Sequence, residues 1–205
     1  SSSINMSGVN SINWARIIAQ CVYYFYSFFL IKDRSQPINF SVPTGNFGDV
    51  YAGYLAKKMG LPINKLVVAT NQNDILHRAI SNGEYSVEKV SETISPSMDI
   101  QLASNFERLL YDLNNHNDIK TFSVMKDIKE KGKYIIDKEK LEKINVNFLS
   151  ARISEEEVLK TIKDVYDKHN TILDPHTAIG YHAFDKVNLK GNNIVLATAH
   201  PCKFP

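Results

Sequence analysis

The pattern of apolar and polar positions predicts strands first. Residues 66–70, Leu-Val-Val-Ala-Thr, run without a polar break after Lys65, as expected of a strand covered on both faces. Residues 193–198, Asn-Ile-Val-Leu-Ala-Thr, carry a similar run near the chain's end, and residues 145–149 offer one more. A short extended run at 39–42 is bounded by Pro37 before it and by Pro43 and Gly45 after it. From 49 to 59 the spacing turns helical, with Val50, Leu55 and Met59 among the apolar positions and Gly60 as a stop signal. Strand, helix, strand with short connections predicts an α/β protein built on a parallel sheet with right-handed crossovers.

Between these strands, residues from about 74 to 141 read as a mainly helical insertion, more polar than its surroundings. Glu107, Arg108, Leu109 and Leu110 fall in one helix, and residues 126–143 mix both charge signs in the manner of a solvated helical face. Ser154 and Glu157 have capping-box spacing ahead of Val158, Ile162 and Val165, which starts a helix at Glu155. The most apolar stretch, residues 17–31, is shorter than the ~20 residues a membrane-spanning helix needs. It reads as a mostly buried helix. No basic region precedes it and no small-residue cleavage site follows, so it does not read as a signal peptide.

Composition narrows the function classes. The chain has 205 residues, 43% hydrophobic and 22% charged, with a formal net charge of +2. That is an ordinary soluble globular balance, and it lacks the clustered basic surface expected of a nucleic-acid partner. No membrane partner is expected either. Cys21 and Cys202 are too few for a disulfide framework or a four-cysteine zinc site, which fits a reducing, cytoplasmic setting.

The segment with most chemical content is Pro43-Thr44-Gly45-Asn46-Phe47-Gly48-Asp49, between a predicted strand and a predicted helix. A phosphate group needs several N–H donors converging from one side. Glycines let the backbone come close, and a helix N-terminus adds unpaired N–H groups and a favourable dipole. Asn46 has an amide to donate or to stabilise the turn. Asp49 stands where a carboxylate commonly caps backbone N–H groups; aimed at a phosphate instead, it would repel it. The loop is neither a Walker A motif nor a dinucleotide fingerprint. Taken alone, it is equally a plain tight turn.

Other segments, read in order with this loop, carry a resemblance. They are Asn10-Ser11-Ile12-Asn13-Trp14-Ala15-Arg16, Ser95-Pro96-Ser97-Met98-Asp99-Ile100-Gln101, and Ser104-Asn105-Phe106-Glu107-Arg108-Leu109-Leu110. Asp174-Pro175-His176-Thr177-Ala178-Ile179-Gly180 and Thr198-Ala199-His200-Pro201 complete the set, which runs from about Val9 to Phe204. Together they resemble the C-terminal portion of threonine synthase. The resemblance implies the parallel-sheet domain of a fold-type II, tryptophan synthase beta-like, pyridoxal-phosphate enzyme. Residues 1–36 would then form a connecting and substrate-binding helix region, and residues 37–205 the cofactor domain with its helical insertion. The implied reaction converts O-phospho-L-homoserine and water to L-threonine and phosphate, a step of amino-acid biosynthesis by a lyase.

By the same resemblance, Gly45, Asn46, Phe47, Gly48 and Asp49 hold the phosphate of pyridoxal 5'-phosphate, and Thr198 pairs with its pyridine nitrogen. A neutral hydroxyl there leaves the ring nitrogen largely unprotonated and moderates the electron sink. Asn10, Ser11 and Arg16 match the site for the substrate phosphate; the guanidinium fork suits phosphate oxygens, although Arg16 alone would read as a surface salt-bridge residue. His176, following Asp174-Pro175, reads as shaping a helix start. His200 and Cys202 lack further metal ligands nearby, and Asp99 and Glu107 take ordinary cap and surface roles. The family's catalytic lysine, in a serine-phenylalanine-lysine-aspartate context, has no counterpart here. The resemblance therefore implies a chain inactive alone and a missing N-terminal half as its partner. Two alternatives stand beside it: a non-catalytic phosphate- or partner-binding remnant, and a threonine-synthase-like phospholyase.

Overall fold

Residues 10–203 are described by the computed structural model. Val9 and Phe204, and residues 1–9 of the region 1–36, lie outside the described residues. The chain begins with helix α1 (Trp14–Leu30), strand β1 (Ile38–Pro43), α2 (Gly48–Lys58) and β2 (Ile63–Thr70). After β2 the chain forms α3 (Ile75–Asn82), β3 (Glu84–Ser86), α4 (Phe106–Leu113), α5 (Asp118–Lys131), β4 (Lys133–Ile135) and α6 (Lys138–Asn147). The last part is β5 (Phe148–Arg152), α7 (Glu155–His169), α8 (Pro175–Val187) and β6 (Asn192–Val195).

Four strands pair in the order β5-β2-β1-β6, all parallel. β2 shows why its run is continuously apolar. Leu66 and Val68 face a core shared with α1 and α2, while Val67 and Ala69 face a second core with Ala178 and Ile179 of α8. The sheet is thus sandwiched, and both residue parities must be apolar. The segment between β2 and β5 contributes helices and an antiparallel ribbon of β3 with β4.

Three expectations change. The strand anticipated at 145–149 begins only at Phe148, because α6, capped by the Asp137 side chain on the Lys140 amide, continues through Asn147. The strand anticipated at 193–198 ends at Val195. Leu196 still donates to the Ser41 carbonyl, but the next β1 position facing it is Pro43, which has no N–H to continue the ladder. The helix over 17–31 is not mostly buried. Ile17, Cys21 and Tyr24 form its buried stripe, whereas Val22, Tyr26, Phe29 and Leu30 are each more than 60% exposed. Only one face of α1 meets α2, at the i, i+4, i+7 spacing of an amphipathic helix. Tyr24 lies so close to Gly53 that a Cβ there would come within 2.5 Å of its ring.

The capping box at Ser154 is formed in both directions, Ser154 N–H to Glu157 Oε2 at 2.8 Å and Glu157 N–H to Ser154 Oγ at 3.3 Å. Among the described residues, no helix is long and apolar enough to cross a membrane.

Candidate functional site

After β1 the crossover runs to β2 on one side, while β6 lies on the other. Between the carboxyl ends of β1 and β6 the connections diverge, and open parallel sheets offer ligand crevices at such points. A cavity of about 540 Å³ opens there. Its wall includes Gly45, Asn46, Phe47, Gly48 and Asp49 after β1, Thr198 after β6, and Ser11 and Arg16 at the start of α1. Thus eight of the nine residues singled out in the sequence share one cavity. Asn10 is not part of its wall; the Asn10 side-chain oxygen accepts the Ile12 N–H at 3.1 Å, a local turn.

The loop 44–47 is held open by its neighbours. Thr44 donates its N–H to the Ala69 carbonyl and its hydroxyl to the Val42 carbonyl. The Asn46 carbonyl accepts both the backbone and the side-chain N–H of Asn105, each at 3.1 Å. The left-handed residue is Phe47, with φ 64°, rather than either glycine. Its ring is buried against Phe106 and Phe148, at centroid distances of 5.2 and 5.7 Å. Packing of that ring holds the unusual backbone angle, so Phe47 can offer a ligand only its amide. Gly45 is required by close approach instead, and Gly48 is only crowded. A Cβ on Gly45 would meet the Ser97 carbonyl oxygen at 2.8 Å, and one on Gly48 the Asn105 amide nitrogen at 3.2 Å.

Among the described residues, the amides of Gly45, Asn46 and Phe47 have no acceptor, and those of Gly48 and Asp49 open α2, where a helix has no internal partner for them. Unpaired donors at a helix N-terminus, with Arg16 in the same wall, fit a phosphate group. Thr198, which is exposed, lines the same cavity.

Asp49 does not cap α2. Its carboxyl turns to α1, where the Tyr24 hydroxyl donates to the Asp49 carbonyl at 2.8 Å and to its Oδ1 at 3.3 Å. Burial pushes the Asp49 carboxyl up to about 6, against the downward pull of the Tyr24 hydrogen bond and the Arg16 charge.

The structure adds residues that the sequence reading left outside the site. Ser97, Met98, His176 and Lys203 line the same cavity. His176 Nδ1 lies 3.0 Å from Asp174 Oδ1, and the Ser97 N–H donates to its Nε2 at 3.3 Å. An Nε2 that accepts leaves the proton on Nδ1, facing the carboxylate, so Asp174 selects the tautomer that ties the Ser97 turn to α8. Burial works to raise the Asp174 carboxyl's pKa, but donors from His176 and Thr177 outweigh it and hold it below the usual range. His176 and Ser97 both stood in the segments that carried the resemblance; their local chemistry pointed only to a helix start and a turn.

Asp99 is a structural hub behind Ser97. Its carboxylate accepts from Asn71, Asn73, the Thr93 hydroxyl and the Thr93 N–H, at 2.7 to 2.9 Å. His200 Nδ1 accepts the Cys202 N–H at 3.2 Å, a local turn. Among the described residues, no three histidine, cysteine or carboxylate side chains cluster as metal ligands.

No protein-family model matches the chain. Single relatives match it closely. A threonine synthase of Saccharomyces cerevisiae is 48% identical over 222 aligned residues, covering 98% of this chain and 43% of that protein. The crystal structure of a threonine synthase from Brucella melitensis, solved with pyridoxal phosphate bound, superposes with a TM-score of 0.93 at 46% identity, over 97% of this chain and 43% of the other. A threonine deaminase of Solanum lycopersicum, 14% identical with a TM-score of 0.54 over 88% of this chain and 44% of its own, shares the fold alone. The chain therefore spans about 43% of the length of the threonine synthases it matches. In sequence and in fold alike, it is homologous to a segment of the threonine synthases.

Proposed function

We propose that this chain supplies the cofactor-phosphate cup and part of the substrate site of a threonine synthase acting on O-phospho-L-homoserine and water. The observation that carries the reading is the convergence of unpaired amides at 45–47, the Arg16 guanidinium and the Thr198 hydroxyl on one cavity at the carboxyl edge of the sheet. Pyridoxal phosphate, when bound, supplies an electron sink for the substrate's α-carbon. The amides of residues 45–49 hold its phosphate, and the Thr198 hydroxyl meets the ring nitrogen without giving it a full proton. Ser11 and Arg16 hold the phosphate that leaves the substrate. His176 and Asp174 keep the Ser97 turn closed over the loop. The catalytic lysine comes from another part of the parent polypeptide, and the reaction runs in the cytoplasm.

The test uses the full polypeptide that contains this chain. It is titrated with pyridoxal phosphate by absorbance, then given O-phospho-L-homoserine, with phosphate and amino-acid products quantified. Saturable cofactor binding with stoichiometric phosphate and threonine is the expected result. Failure to bind the cofactor, or phosphate release with a product other than threonine, overturns it.

A further inference from the structure

The cup contains a group that sits badly with an anionic guest. Asp49 lies within the stretch whose amides hold the phosphate, lines the same cavity, and has its carboxyl turned to the buried Tyr24 hydroxyl. Resting on the cofactor reading above, we propose that Asp49 is protonated as the phosphate enters, so that filling the cup takes up one proton and leaves a neutral carboxyl beside the bound dianion.

The geometry leaves few alternatives. An ionised carboxylate in this wall repels a phosphate dianion, and two like charges sharing one partly dry site cannot both be retained cheaply. Asp49 cannot swing out to water without giving up the Tyr24 hydroxyl, and Tyr24 itself is fully buried on α1 above Gly53. The ionisable and charged groups that act on the carboxyl are Arg16, Cys21 and Tyr24 on α1; Tyr23, His176 and Lys203 line the same cavity. Burial raises both the Tyr24 hydroxyl and the Cys21 thiol, so neither releases a proton near neutrality. The Asp49 carboxyl is already pushed up to about 6 with the cup empty. An entering dianion drives it further in the same direction.

The sign separates this from the guest's own titration. A phosphate monoester loses its second proton near pH 6, and a preference for the dianion makes affinity rise with pH. Uptake on Asp49 makes affinity fall as pH rises above 6, by up to about tenfold per pH unit.

The experiment binds pyridoxal phosphate to the cofactor-free full polypeptide, by calorimetry in phosphate-free buffers of different ionisation heat, between pH 6.5 and 8.5. The same titration is run on Asp49→Asn, whose amide is neutral at every pH. The expected result is close to one more proton taken up by the wild type than by the variant at pH 8, with the wild-type affinity falling with pH relative to the variant. Proton uptake at groups other than residue 49 is common to both proteins and cancels. As a second readout that does not need the variant to fold, the carboxyl carbon of isotope-labelled aspartate in the wild type reports protonation directly by NMR, free and bound. Equal proton counts, parallel pH profiles, or a carboxyl that stays ionised in the bound state overturn the proposal while leaving the cofactor reading intact. Absence of binding at every pH overturns both.

Discussion

Replacing Gly45 by alanine tests whether the cup depends on close approach rather than on backbone freedom. Gly45 is not in the left-handed region, so an alanine there carries no φ strain. Its methyl would instead stand 2.8 Å from the Ser97 carbonyl oxygen and 3.3 Å from the Met98 Cα. Ordinary contact begins near 3.4 Å, so the Ser97 turn must retreat by about half an ångström, and overpacking of this kind costs about 1–3 kcal/mol. That turn is anchored on two sides, by the Ser97 N–H on His176 and by the Asp99 hub, and has little freedom to give. Gly48→Ala is the internal control. Its methyl meets a side-chain nitrogen, Asn105 Nδ2, at 3.2 Å, and a first-turn helical position regains roughly 0.5–1 kcal/mol of propensity. Urea unfolding of the two variants, with pyridoxal-phosphate titration of each, is the assay. Gly45→Ala should lose stability and bind at least about tenfold more weakly, one decade per 1.4 kcal/mol, while Gly48→Ala stays near the parent. Equal stability and equal affinity for Gly45→Ala would refute the close-approach argument.

Four further outcomes are expected. In Asp49→Asn, the carboxyl's rise from 3.8 to about 6 is abolished; at 1.36 kcal/mol per pH unit it amounts to at most about 3 kcal/mol. For a raised carboxyl the favourable contribution is present below pH 3.8 and is lost as pH rises through 6. The variant should therefore gain on the wild type across that window, as read by denaturant unfolding at pH 4, 6 and 8. Asp174→Asn should cost about 1.5–3 kcal/mol by weakening the bonds from His176 and Thr177. The Asp174 pKa is lowered, so its contribution is present above pH 3.8 and is lost as pH falls below it; the variant's acid unfolding curve should be flatter than the wild type's there. Thr198→Ala should shift the cofactor's absorbance and slow turnover; an unchanged spectrum and rate would remove it from the ring-nitrogen role. Arg16→Ala should raise KM by at least about tenfold with cofactor affinity nearly unchanged, and the reverse pattern would mean that the two phosphate sites are exchanged.

Much of the fold was legible because its signals are local. The continuous apolar run at 66–70 required cover on both faces, and the Ser154–Glu157 spacing set the start of α7 as a capping box does anywhere. The Gly45–Asp49 segment could be read as a strand-to-helix turn from its glycines alone. Local signals also misled. The apolar density of 17–31 says nothing of how many faces find partners, and α1 found one. The Asp49 position in a first turn suggested a cap, yet the pull of the Tyr24 hydroxyl, from an element 25 residues earlier, took the carboxyl elsewhere.

What the sequence by itself determined, then, was the order and period of the elements and the chemical character of one loop, since propensity, period and turn chemistry act over a few neighbouring residues. The meeting of that loop with Thr198 depends on the pairing of β6 beside β1, with Ser41 opposite Val195. The His176–Ser97 bond depends on α8 packing under the sheet. The direction of Asp49 depends on a tyrosine wedged over Gly53. These are contacts between distant segments, decided by packing and register, and only the folded chain holds them.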